Sequence, residues 1–192
     1  MLAFRRLAVL LLLIGLAAPA LGWSSTVTFE GLADLTPVTT QFPGMVFSNA
    51  TILTAGASLP VGFPPHSGSN VVFDNGGPIL VDFLSPVTSA GAFFTYGVPI
   101  TVFALDAANN VLASAASSSS ANFAGAGTGA PPNEFISVAL AAGYSRLGIL
   151  GSDTGTSFVM DDLTTTSAVP EPSTLVLFAL GGLAVGVWRR AR

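Results

Sequence analysis

Between residues 23 and 168 apolar and polar positions alternate with a period of two, in short runs closed by Gly, Pro, Asn or Asp. That period is the signature of half-buried strands, because successive side chains of a strand point to opposite faces. Runs at 26–30, 45–47, 51–53, 70–73, 79–83, 90–96, 100–105, 111–113, 135–140, 146–150 and 158–164 read as strands. In the fifth of them Ile79, Val81 and Phe83 share one face, and Leu80 and Asp82 share the other. Asp74-Asn75-Gly76-Gly77 closes one strand, and 106–110 reads as a hairpin loop. The stretch 115–132 is low-complexity Ser, Ala and Gly and reads as a mobile loop. No helical period of useful length occurs in this region. About ten short strands at this spacing predict an all-β fold, an antiparallel jelly-roll-type β-sandwich.

Two segments break the alternation. Arg5 and Arg6 precede an apolar run over 7–17, and Ala18-Pro19-Ala20 and Ala20-Leu21-Gly22 offer small-x-small cleavage sites. Residues 1–22 therefore read as a secretory signal peptide helix. The second segment is 169–192. It runs from Pro170-Glu171-Pro172 through an uncharged stretch, 175–188, to Arg189, Arg190 and Arg192. As a helix, 173–188 spans roughly 24 Å, short for a bilayer core of about 30 Å. Trp188 and the arginines after it are the interfacial marks of a single transmembrane helix whose basic end stays in the cytoplasm. The expected organisation is thus a signal peptide (1–22), a β-sandwich domain (23–166) and a sorting segment (167–192).

That ordered tail, Pro-Glu-Pro with Ser173 and Thr174, then the apolar helix, then Arg189-Arg190, resembles a PEP-CTERM sorting signal of exported proteins in Gram-negative bacteria. The resemblance implies processing by an exosortase, a membrane transpeptidase-like enzyme. It implies anchoring in the cytoplasmic membrane before processing, and the cell surface or medium afterwards. It also implies an association with exopolysaccharide and biofilm formation.

Charge narrows the partners. The protein has no lysine, and between residues 23 and 168 Arg146 alone faces nine acids. Phosphate binding needs clustered Lys and Arg, which excludes a nucleic-acid partner. Cysteine is absent, so disulfides, zinc–thiolate sites and thiol nucleophiles are excluded too.

A second, diffuse resemblance runs through Phe29-Glu30, the loop 67–71, Leu105-Asp106-Ala107 and the strand 159–163. It is similar to galactose-binding-like sandwiches and carbohydrate-binding modules. In several of these, acids of the first and last strands share a structural Ca²⁺; here those acids are Glu30 and Asp161 or Asp162. Adjacent Asp161 and Asp162 would project to opposite faces of a strand. One of them then faces inward, where a hard cation would relieve an unpaired carboxylate.

Catalytic constellations are sparse. His66 is the only histidine, and no Gly-x-Ser-x-Gly elbow accompanies it. Asp153-Thr154-Gly155 matches an aspartic-protease tripeptide but has no second copy, and it reads as a turn. Asn49-Ala50-Thr51 matches a glycosylation sequon. Trp23, Tyr96 and Tyr144 are the aromatic residues suited to stack on a sugar. The sequence therefore points to a non-enzymatic, surface-sorted sandwich with a structural or adhesive role. A calcium-stabilised carbohydrate-binding module is the alternative, and a secreted hydrolase is a remote one.

Overall fold

A computed structural model describes residues 23–167. The expected signal peptide, membrane helix, sorting motif and basic tail lie outside the described residues. Among the described residues no helix is long and apolar enough to cross a membrane.

Ten strands follow in chain order: β1 (Trp23–Val27), β2 (Pro37–Val38), β3 (Met45–Ser48), β4 (Ala50–Thr54), β5 (Asn70–Asp74), β6 (Ile79–Tyr96), β7 (Thr101–Leu105), β8 (Val111–Ala116), β9 (Glu134–Leu150) and β10 (Phe158–Ser167). Every strand pairing is antiparallel. The fold is all-β, as the alternation predicts.

The strand register resolves the ladder into two layers. One layer runs β3, the first part of β6, the last part of β9, β7 and β8. The other runs β2, β4, β5, β10, the last part of β6 and the first part of β9, with β1 on the far end of β10. β6 and β9 therefore pass from one layer to the other. The alternation read each of them as two strands, because the bends look like breaks. In β6 the register shifts between Asp82 and Val87, where Pro86 sits. In β9 Gly143 takes φ +77°. Strands that switch sheets at bends make the corners of such a sandwich. Phe83 and Tyr144 fill this corner edge to face at 6.1 Å, and the Tyr144 hydroxyl donates to the carbonyl of Val138.

The core follows from the register. Phe47, Val81, Leu147, Ala104 and Ala113 line up across the first layer on one face. Ile52, Val72, Met160 and Phe94 line up across the second. All nine belong to one apolar cluster. Burying each large side chain contributes about 1.5–3 kcal/mol.

A smaller cluster lies on the outer face of the second layer, where Leu53, Val71 and Val159 meet Leu59 and Phe63 of the segment after β4. That segment, residues 55–69, thus lies across the sheet. Its far end is held by carboxylates.

Candidate functional site

Three carboxylates converge on one loop. Asp161 Oδ2 accepts the backbone N–H groups of His66 and Ser67, both at 2.8 Å. Asp162 takes His66 Nδ1 at 2.6 Å and the Ser67 hydroxyl at 2.8 Å. Glu30 Oε1 accepts the N–H groups of Ser69 and Asn70, both at 2.8 Å. Four of the five consecutive N–H groups from His66 to Asn70 are therefore capped by acid side chains. Gly68 stands between them because any Cβ there would collide with the Glu30 carboxylate.

The local backbone explains this convergence and corrects two expectations. Asp161 and Asp162 do not face opposite sides: β10 bulges between Asp161 and Thr164, and Asp162 takes φ +48°. A bulge re-aims side chains, so both carboxylates reach the same loop. Glu30 does not sit in the first strand. Phe29 takes φ +62° and Gly31 φ +84°, so the chain turns there and Glu30 lies in the turn. The three acids do meet at one loop, as residues expected to share calcium should. Among the described residues, however, no group of three or more His, Cys, Asp or Glu stands in a position to hold a metal. Peptide N–H donors meet Asp161 Oδ2 and Glu30 Oε1, and the His66 ring and the Ser67 hydroxyl meet Asp162.

Burial pushes the Asp161 carboxyl up to about 6, and the charge of Asp162 adds to this against the pull of the Ser67 N–H. The native state thus holds this proton more tightly than the unfolded chain, whose value is 3.8. Stability from this group is full below about pH 4 and is lost as pH rises through 6. Thermal unfolding is expected about 3–6 °C lower at pH 7 than at pH 4.5. In Asp161→Asn this slope should flatten; an unchanged slope would assign it to another group.

Beside the clamp lies an aromatic shelf on the outer face of the second layer. The His66 ring stacks on Phe93 with centroids 3.4 Å apart and planes 5° off parallel. Phe93 in turn meets Phe135 at 5.1 Å. Phe135 is 50% exposed. Gly91 makes room for it, since a Cβ there would lie 2.5 Å from Ser137 Cβ and 2.9 Å from the tip of the Phe135 ring. The shelf was absent from the sequence expectations, although the alternation Phe135-Ile136-Ser137-Val138 puts Phe135 on the polar face. Conversely, Tyr96 and Tyr144, expected as stacking residues, are buried, and of the three only Trp23 is exposed.

The other chemical candidates are structural. His66 is held by Asp162 and Phe93, not aimed at a nucleophile. In the turn at 152–155, Gly155 donates to the carbonyl of Ser152 and Thr154 N–H to the Ser152 hydroxyl, with Asp153 exposed. Arg146 pairs with Asp82 at 2.6 Å, which raises its already high pKa, and also donates to Asn109. Glu134 accepts from the Tyr96 hydroxyl and from Ser118 N–H. Asp34 accepts from Thr54 N–H and the Ser58 hydroxyl, chiefly the latter holding its carboxyl below the usual range.

Residues 168–191 match the PEP-CTERM protein-sorting motif. No curated protein matches the chain. Among solved structures, the chain is similar to the K2 cleaved adhesin domain of Lys-gingipain, with 17% identity over 74% of this chain and 99% of that one, at a TM-score of 0.49. A DUF4465 family protein from Bacteroides caccae has 12% identity over 74% and 98%, at 0.48. A family 29 carbohydrate-binding module has 10% identity over 81% and 98%, at 0.41.

Proposed function

We propose that this exported β-sandwich is a structural or adhesive, non-enzymatic component of an extracellular polysaccharide matrix, delivered by the signal in residues 168–191. The match to that sorting motif carries the reading. An exosortase-type enzyme is the processing partner that such a motif calls for. The disposition of the acids supports the absence of catalysis. General acid–base work needs carboxylates free to meet a substrate. Here eight of the nine acids between residues 23 and 168, Glu30, Asp34, Asp74, Asp82, Asp106, Glu134, Asp161 and Asp162, accept hydrogen bonds from the protein itself, and the ninth, Asp153, stands exposed in a turn with no second carboxylate paired to it.

The aromatic shelf favours a second reading, a module that binds a glycan directly. A half-exposed ring lying across a glycine offers a flat apolar face beside Ser137 and His66, the combination a sugar ring can use. The two readings part in a retention assay of the exported protein on the producing organism's exopolysaccharide. A direct binder is retained, and Phe135→Ala reduces retention at least tenfold while the fold persists. Equal retention of both proteins points to a structural role without that site, and no retention of the folded protein removes both. Loss of binding with a chelator, restored by calcium, would support a structural calcium at Glu30 with Asp161 or Asp162.

A further inference from the structure

The aromatic shelf opens onto a larger face. Strand register sets two rows across the outer side of the second layer. The first runs Thr26, Thr164, Gly91 and Ser137, and the second Ser24, Thr166, Ser89 and Ala139. Thr165, Ala90 and Val138, which lie between the rows, are buried. By the alternation of a strand both rows therefore point outward. Ser24, Thr26, Ser137 and Ala139 are exposed, and Thr164, Thr166 and Ser89 are half-buried. The tip of the Phe135 ring lies over Gly91, inside the first row. Four strands about 4.8 Å apart make each row roughly 14 Å long.

The chemistry of the rows is uniform. Besides Gly91 and Ala139 every member is Ser or Thr. A hydroxyl both donates and accepts, which suits a ligand that is itself covered in hydroxyls. A protein partner fits less well. Interface cores are rich in large aromatic side chains and depleted in Ser and Ala, and the rows hold no large apolar side chain.

Charge narrows the ligand further. No residue in 23–27, 84–93, 135–145 or 163–167, the strand segments that form and flank the rows, is charged except at the shelf, where His66 covers Phe93. His66 commits its Nδ1 to Asp162. Arg146, the one arginine between residues 23 and 168, pairs with Asp82 in the other layer. A uronate or sulfated chain would find no free guanidinium or ammonium to pair with. It would also meet the field of a domain with nine acids.

We infer that the two rows extend the shelf into one strip that binds an uncharged glycan chain, which stacks on Phe135 and lays its hydroxyls along the Ser and Thr side chains. This rests on reading the shelf as a direct glycan site.

The test uses the full chain exported by its own signals. The producing organism's exopolysaccharide is split by anion exchange into a neutral and an acidic fraction, and each is immobilised. Retention is expected on the neutral fraction and at least about tenfold weaker on the acidic one. Ala139→Arg, in the row farther from Phe135, should weaken neutral retention at least about fivefold while circular dichroism shows an intact fold. Val61→Arg, in the exposed loop after β4, should leave it unchanged. Equal or stronger retention on the acidic fraction overturns the uncharged class. Unchanged retention of Ala139→Arg, with Phe135→Ala still impaired, overturns the strip and leaves the shelf alone as the site. Retention indifferent to Phe135→Ala, or none on either fraction, removes the shelf reading and the strip with it.

Discussion

Replacing Asp74 with alanine is expected to destabilise the folded domain by about 3–4 kcal/mol. Asp74 ends β5 and is fully buried. It accepts the Ser157 hydroxyl at 2.7 Å, the Ser157 N–H at 2.9 Å and the Phe158 N–H at 3.1 Å. Together these bonds fasten the end of β5 to the start of β10. Removing the acceptor leaves three buried donors without partners, each costing about 1–3 kcal/mol. Relief of the buried carboxyl partly offsets the loss; burial already holds its pKa above the usual range. Asp74→Asn keeps one acceptor oxygen and should lose about half as much. Denaturant unfolding measures both, and a loss below 1 kcal/mol for the alanine variant would contradict the clamp.

The second large effect falls at the same corner. Gly155→Ala is expected to cost about 3 kcal/mol or more. Gly155 takes φ +76°, where an L side chain is strained by about 1–2 kcal/mol. Its Cβ would also lie 2.5 Å from Gly76 N, 2.8 Å from Asp74 O and 2.8 Å from Gly77 N. All three are backbone atoms, so the turn itself must open. Overpacking of this kind costs about a further 1–3 kcal/mol. Because the displaced backbone includes Asp74 and Thr156 N–H bonds to the Asp74 carbonyl, the two substitutions should not add. A double variant losing about 1 kcal/mol less than the sum is expected. Full additivity would mean that the turn and the carboxylate act separately.

Much of the fold was legible in the alternation of apolar and polar residues, and the exceptions have physical reasons. Met45 to Phe47 and Thr51 to Leu53 read correctly because each lies in one straight strand. β6 and β9 read as broken because Pro86 and Gly143 mark bends, and a bend that carries a strand into the next layer has the same local chemistry as a turn. Tyr96 was readable: it continues the series Ala90, Ala92 and Phe94, all on the core face. The candidate site was legible in its members and not in its geometry. Glu30, Asp161 and Asp162 do come together, Glu30 and Asp161 on peptide N–H groups of the loop 66–70 and Asp162 on the side chains of His66 and Ser67. Two positive-φ residues, Phe29 and Asp162, make that arrangement, and neither is a glycine that would announce it. The shelf of His66, Phe93 and Phe135 depends on a loop folding back over a sheet, a contact set by tertiary packing.

The measurement that tests the central claim most directly is the fate of the full chain in its own host, with Pro170, Glu171 and Pro172 intact or all changed to alanine. Cells are fractionated and the chain is followed by size. The intact protein is expected at the surface or in the medium, shortened by processing near the motif. The triple-alanine variant is expected to stay with the membrane at unprocessed length. The same size and the same fraction for both proteins would contradict a surface protein sorted by residues 168–191.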